Sequence, residues 1–359
     1  MNITFLIGNG FDIGIGLNTR YGDFYKKYCA DKEGDNENIK SFKDILGSKE
    51  ITKYPPIVDW ADFETAFGRH SAEFSIETKE AYKERFEDFI SKFNAYLEDE
   101  EKMADYISNE SLIAKTMKNA VMTYYHIRND DRLEIERTYK NIQGERVYNF
   151  ISFNYTRSID KCAEILNNEF RRDSIRSVGQ VVHVHGFVDS NMIMGVNDSS
   201  QITNPELSTD FDIACELVKP QQNIDARTGY DTAVTSIIDN SNIICIYGMS
   251  LGETDKKWWN LISKWLAANN SRKLVILKYD KNYSARFIHT QRRSTDESIN
   301  RFLKYSDLSD EKKPEIAKRI YIGANHNVFS MDLRKKSNGK CEIDLNNFSD
   351  EEPELALAK

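Results

Sequence analysis

The sequence predicts an α/β protein: a Rossmann-like, mostly parallel sheet with helices on both faces and a helical insertion. Three observations predict it. Short, continuous apolar runs rich in Val, Ile, Tyr and Phe recur along the chain, as strands buried on both faces do. The first of them empties into a cluster of glycines ahead of a helical stretch, the order found where a sheet strand meets a ligand. Between the first run and the second lie about 140 residues with hardly any strand signal, in which aromatic residues recur at helical intervals.

Ile3 to Ile7 is the first strand; it has no basic segment before it and is too short for the apolar core of a signal peptide. Gly8-Asn9-Gly10-Phe11-Asp12-Ile13-Gly14-Ile15-Gly16 forms the turn after it. The insertion opens with a polar stretch, Asp31 to Lys53, and Tyr54-Pro55-Pro56, which predict a surface loop. Trp60, Phe63 and Phe67, then Phe86, Phe89, Ile90, Phe93 and Leu97, predict amphipathic helices. Trp60, Phe63 and Glu64 could form a lid or a subunit contact, but plain packing onto the sheet is the better expectation. Glu98-Asp99-Glu100-Glu101 reads as a solvated helix end. Further strands are predicted at Val147 to Phe153, Val181 to His185, Met192 to Val196, Ile243 to Tyr247, Leu274 to Tyr279 and Arg319 to Ile322. Ser298 to Lys318 predicts a charged helix pair, and Asp350-Glu351-Glu352-Pro353 opens a fraying tail. Residues 1–30 and 145–335 would then form the nucleotide-binding domain, 31–144 the helical insertion and 336–359 the tail.

Composition narrows the function classes. With 359 residues, 40% of them hydrophobic and 30% charged, the chain can bury a full core. Its 49 basic and 57 acidic residues give a net charge of -8, and no block of five basic residues occurs, which argues against a nucleic-acid partner. Cysteines 29, 162, 215, 245 and 341 lie far apart without a C-x-x-C pair; this excludes a disulfide framework and a zinc ribbon and suits a reducing, cytoplasmic setting. No window reaches the 18 apolar residues of a membrane span, so no membrane partner is expected.

The candidate site is a set of strand ends. The glycine turn can present backbone amides to a phosphate, although a tight turn needing positive φ explains the glycines equally well. Its G-x-G-x-x-x-G spacing is one residue longer than the dinucleotide fingerprint, and no acid closes a second strand about 20 residues on, which disfavours a hydride-transferring dehydrogenase. Asn9 and Asp12 put polar side chains on the turn. Asn154 ends the strand at 147–153, His185 follows another beside Gly186, and Gly248-Met249-Ser250 ends a third. Any one of these would be an ordinary cap; four on one sheet edge predict a ligand crevice. His183 and His185 would share a strand face, as a core pair or as an H-x-H chelate. His70, His126, His289 and His326 complete no ligand-spaced motif, so no metal is expected and His185 is favoured as a general base.

Leu6 to Asp12, Gly16 to Phe24, Trp60-Ala61-Asp62-Phe63-Glu64, Ser152 to Thr156, His185-Gly186 and Gly195-Val196-Asn197-Asp198 resemble, in order, segments of the bacteriophage abortive-infection AbiH family. That resemblance implies bacterial anti-phage defence. A more distant one is to sirtuin-like NAD-consuming domains, whose G-A-G-x-S, T-Q-N-x-D, H-G and G-x-S-L segments are similar to residues 8–12, 152–156, 185–186 and 248–251. Thr156 stands where the second motif has its acid, Asn18 replaces a proline, and the zinc-binding cysteines are missing.

The sirtuin resemblance implies hydrolysis of NAD, the substrate, to ADP-ribose and nicotinamide. Gly8 to Gly10 would hold phosphate oxygens through their amides. Asn154 would orient the nicotinamide ribose and the attacking water, and His185 would accept a proton from a ribose hydroxyl or the water. Gly248 and Ser250 would contact phosphate or adenosine ribose, while Asp12, Arg20 and Phe24 would line the nicotinamide end. A homo-oligomer and a phage-derived trigger fit such a toxic activity. Two alternatives stand beside it: a nucleotide sensor or scaffold without turnover, and a metal-dependent phosphoesterase using His183 and His185.

Overall fold

A computed structural model describes residues 1–47, 60–122, 126–172, 175–188, 190–284, 286–325 and 328–335. The acidic tail and residues 48–56 of the predicted surface loop lie outside these residues, as does the side chain of Trp60; before residue 48 the predicted loop is corrected, because Glu37–Gly47 is a helix that buries Ile39, Phe42 and Leu46. Six strands, β1 (Asn2–Ile7), β2 (Arg146–Ser152), β3 (Arg176–His183), β4 (Ile243–Tyr247), β5 (Lys273–Lys278) and β6 (Ile320–Ala324), form one sheet. Every pairing is parallel and the order is β3-β2-β1-β4-β5-β6. This is the doubly wound order of the dinucleotide-binding folds, in which the direction of winding reverses between β1 and β4.

The helices run in chain order: α1 (Gly10–Gly14), α2 (Tyr21–Ala30), α3 (Glu37–Gly47), α4 (Trp60–His70), α5 (Lys79–Lys102), α6 (Glu110–Ala120), α7 (Asn129–Asn141) and α8 (Ser158–Phe170). After β3 come α9 (Pro205–Ser208), α10 (Phe211–Leu217), α11 (Lys219–Ala226), α12 (Tyr230–Asp239), α13 (Lys256–Ala268), α14 (Ile288–Lys304) and α15 (Lys313–Ala317). Because side chains alternate along a strand, Ile3, Phe5 and Ile7 face one side of the sheet with α6, α7 and α8, while Leu6 faces the other with α12 and α13. Cys245 and Ile246 divide in the same way. Both faces are therefore buried, which is why the strands read as continuous apolar runs.

A third core lies apart from the sheet. Tyr21, Phe24 and Tyr28 of α2 pack with Phe63 and Phe67 of α4 and with Phe86, Phe89 and Phe93 of α5. Val188, Met194, Val196 and Leu217, from beyond β3, close it. Met192 to Val196 is not a sheet strand, contrary to the sequence expectation. It is buried, irregular chain with one bridge between Val196 and Val218, and Gly195 at φ +140° breaks the extended run. No helix among the described residues is long and apolar enough to cross a membrane.

Candidate functional site

Register lines up the strand ends. His183, Ser152, Ile7, Tyr247 and Leu277 form one row across β3, β2, β1, β4 and β5. The residues just past that row are His185, Asn154, Gly8, Asn9, Gly10 and Asp12, Gly248 to Ser250, and Lys278 with Tyr279. They line a single cavity of about 420 Å³, within the range of small-molecule sites. From β3 to β5 is four strand spacings, about 19 Å. Eight of the ten residues proposed from the sequence line this cavity: Asn154, His185, Gly8, Asn9, Gly10, Asp12, Gly248 and Ser250.

Arg20 and Phe24 do not. Arg20 is exposed at the start of α2, and Phe24 is 1% exposed inside the aromatic core, its ring 5.1 Å from that of Phe89. Tyr21, Phe24 and Tyr28 follow helical spacing, so burial against α5 claims the Phe24 ring.

The glycines serve the meeting of two turns. Gly8 N–H donates to the Tyr247 carbonyl and Gly10 N–H to the Gly248 carbonyl, each at 2.9 Å. A Cβ on Gly10 would stand 2.5 Å from Gly248 Cα, and Gly248 itself has φ +66°. The amides of Gly8 and Gly10 are thus engaged within the protein and are not the phosphate donors the sequence suggested. Among the described residues, no protein acceptor meets the Asn9 amide. The Asn9 side chain is also engaged: Nδ2 donates to the Thr19 carbonyl at 2.8 Å and Oδ1 accepts from the Thr19 hydroxyl at 2.5 Å.

Asn154 is held from two sides. Its Nδ2 donates to the Gly8 carbonyl at 3.1 Å, and its own carbonyl lies 3.1 Å from His183 Nδ1. His183 Nε2 lies 2.7 Å from Asp160 Oδ2. Both His183 nitrogens are therefore within hydrogen-bond distance of protein oxygens, and the residue sits against the backbone of Asn154. His185 has different partners. Its ring lies edge-on to Phe153, Nε2 is 3.7 Å from Asp255 Oδ1, and Nδ1 is buried without a partner. Among the described residues, no three His, Cys, Asp or Glu side chains gather where they could hold a metal ion.

Two further features of the wall come from pairs remote in sequence. Asp12, 2% exposed, accepts a 2.8 Å bond on Oδ2 from the Thr156 hydroxyl, while Oδ1 has no partner. Burial pushes its carboxyl up to about 7, against the Thr156 hydrogen bond and the nearby Asn154 amide, which pull it down. Glu64 of α4 and Lys219 of α11 form a 2.8 Å ion pair, buried on both sides, and the Gly195 amide also donates to Glu64. The sequence marked Glu64 as a lid, contact or packing residue within a family-like segment, not as half of an ion pair, and did not mark Lys219.

The family model described as bacteriophage abortive infection AbiH matches residues 4–277. No match was found among curated proteins.

Proposed function

The chain belongs to the bacteriophage abortive-infection AbiH family, an anti-phage role, and on that premise we propose that it acts by hydrolysing NAD to ADP-ribose and nicotinamide. The observation that carries this reading is the single cavity along the strand ends, with Asn154 and His185 on one side of the β1/β4 switch point and Gly248 and Ser250 at it. Open α/β sheets bind dinucleotides across that point. The nicotinamide half would lie over β2 and β3 and the adenosine half over β4 and β5. With the Gly8 and Gly10 amides engaged, the pyrophosphate would meet the Asn9 amide, the Ser250 hydroxyl and the ammonium groups of Lys219 and Lys278.

Cleavage of the ribose–nicotinamide bond passes through an oxocarbenium-like state, so the site must place a water, accept protons and hold the ribose. Asn154, anchored by Gly8 and by His183 beneath it, is pre-oriented to hold the ribose and the water. His185, with its unpartnered buried nitrogen, is the acceptor for a ribose hydroxyl proton. The leaving nicotinamide is neutral and needs no acid, and the reaction calls for no metal or covalent cofactor. The test is release of nicotinamide from NAD by the purified protein. Asn154→Ala and His185→Ala should each lower turnover on the order of 10²-fold while the protein stays folded. Unchanged turnover in both folded variants would remove the assignment.

A second reading, a nucleotide sensor without turnover, is favoured by one observation: the Asn154 amide nitrogen already has a protein acceptor in Gly8. Calorimetric binding of NAD with no nicotinamide released would select it.

A further inference from the structure

The cavity wall holds a carboxylate that the resemblance did not assign to chemistry. The sirtuin-type pattern puts a hydroxyl at the end of the glycine turn and an acid at the end of the second motif. Here the turn ends in Asp12 and the strand end carries Thr156, and the two side chains are bonded to each other at 2.8 Å. Hydroxyl and carboxylate have exchanged elements, so the acid missing at residue 156 is present from α1. Asp12 lines the cavity; its Oδ2 is fixed by Thr156, and its Oδ1 is buried with no partner. A desolvated carboxylate oxygen without a donor is costly unless something in the cavity supplies one.

We propose that Asp12 is the base that takes the proton of the attacking water, leaving His185 to the ribose hydroxyl. This rests on the reading of the site as an NAD hydrolase and deepens it. In the step, the water oxygen bonds to C1′ of the ribose and the C1′–nitrogen bond to nicotinamide breaks. The bonding pair leaves with nicotinamide, discharging its ring, and the water proton passes to Asp12 Oδ1. His185 returns its proton to the ribose hydroxyl, so the products are ADP-ribose, nicotinamide and one proton, released when Asp12 ionises again.

The surroundings suit a base that works near neutrality. Burial, with a smaller push from Glu101, raises the Asp12 carboxyl to about 7 against Thr156, Asn154 and His183, which lower it. Tyr106 and Cys162 of the packed face are also within electrostatic reach. A base must be ionised to act, so turnover should fall about tenfold per pH unit below its pKa.

The experiment is the pH profile of nicotinamide release by the full chain, with NAD binding followed by calorimetry. The native protein should show an acid limb near pH 7. Asp12→Asn, of the same shape, should bind NAD within a few-fold of the native protein yet lose 10²-fold or more in turnover. Thr156→Val removes a hydrogen bond that favours the charged form. Its limb should move to higher pH, so that activity falls severalfold at pH 6 and stays level at pH 9. A merely structural Asp12 would not move the limb in this way. Native-like turnover in Asp12→Asn, or an unshifted limb in Thr156→Val, would overturn the proposal while leaving the hydrolase reading standing. Absence of nicotinamide release by the native protein would remove both.

Discussion

Asp12 shows why a residue can be nameable from sequence while its chemistry is not. Its place on the turn followed from the glycine spacing, but the Thr156 partner lies 144 residues away and the burial that raises its pKa belongs to the folded state alone. Phe24 shows the opposite failure: a motif resemblance pulled it toward the ligand, whereas its helical spacing with Tyr21 and Tyr28 already pointed to core. The environment of Asp12 also has a thermodynamic consequence. Its carboxyl rises from 3.8 to about 7 on folding, so between those values the native state holds a proton that the unfolded chain has lost. Stability contributed at this position is present below about pH 4, declines as pH rises to about 7, and stays lost above. Asp12→Asn should therefore melt at a higher temperature than the native protein near pH 8, by a difference on the order of 2–4 kcal/mol in stability. The gap should close toward pH 4. Thermal melts of both proteins across that range check it, and a gap that does not change with pH would show that Asp12 is not a desolvated carboxylate.

At the scale of elements, the parallel sheet was legible because buried strands carry an uninterrupted apolar signal. β3 was read five residues short: Arg176 to Gln180 lies on the sheet edge, partly exposed, and carries little of that signal. Met192 to Val196 gave the same signal for a different reason, since its apolar residues fill the aromatic core and not the sheet. The glycine turn was legible as a turn but not as one half of a contact. Gly8 and Gly10 are small because the β4 turn sits against them, and Gly248 must also take a left-handed conformation. Gly248→Ala adds a Cβ that would stand 2.7 Å from Gly10 Cα in a backbone conformation that disfavours side chains. It should cost about 2–4 kcal/mol in denaturant unfolding and weaken NAD binding at least tenfold, because the two turns that form the cavity floor must separate. Tight NAD binding by a folded Gly248→Ala protein would mean that this contact does not shape the site.

At the scale of the whole molecule, the sheet with its two packed faces meets the third core at the strand-end cavity, and that joint was invisible in sequence. The existence of a helical insertion was legible from its aromatic spacing, but its partner in the third core comes from residues 188–218, which carry no matching periodicity. Glu64 and Lys219 tie the insertion to the segment beyond β3 that closes the third core. They come from α4 and α11, lie 155 residues apart, and meet on the cavity wall with little exposure on either side. Removing one member of such a pair strands the other as an unpaired buried charge, a loss of about 3–5 kcal/mol, whereas apolar replacement of both can be close to neutral. Glu64→Leu and Lys219→Met should each lower stability by that amount, and the double variant should recover most of it. Recovery of fold then isolates the role of the charge. If Lys219 also meets the pyrophosphate, the stable double variant should bind NAD at least tenfold more weakly, with an affinity less sensitive to salt than that of the native protein. Denaturant unfolding of the four proteins gives the coupling energy, and calorimetry of the native and double-variant proteins gives the ligand term. Additive stability losses would mean that the pair does not hold the insertion to the chain beyond β3, and native affinity in the double variant would take Lys219 out of the phosphate site.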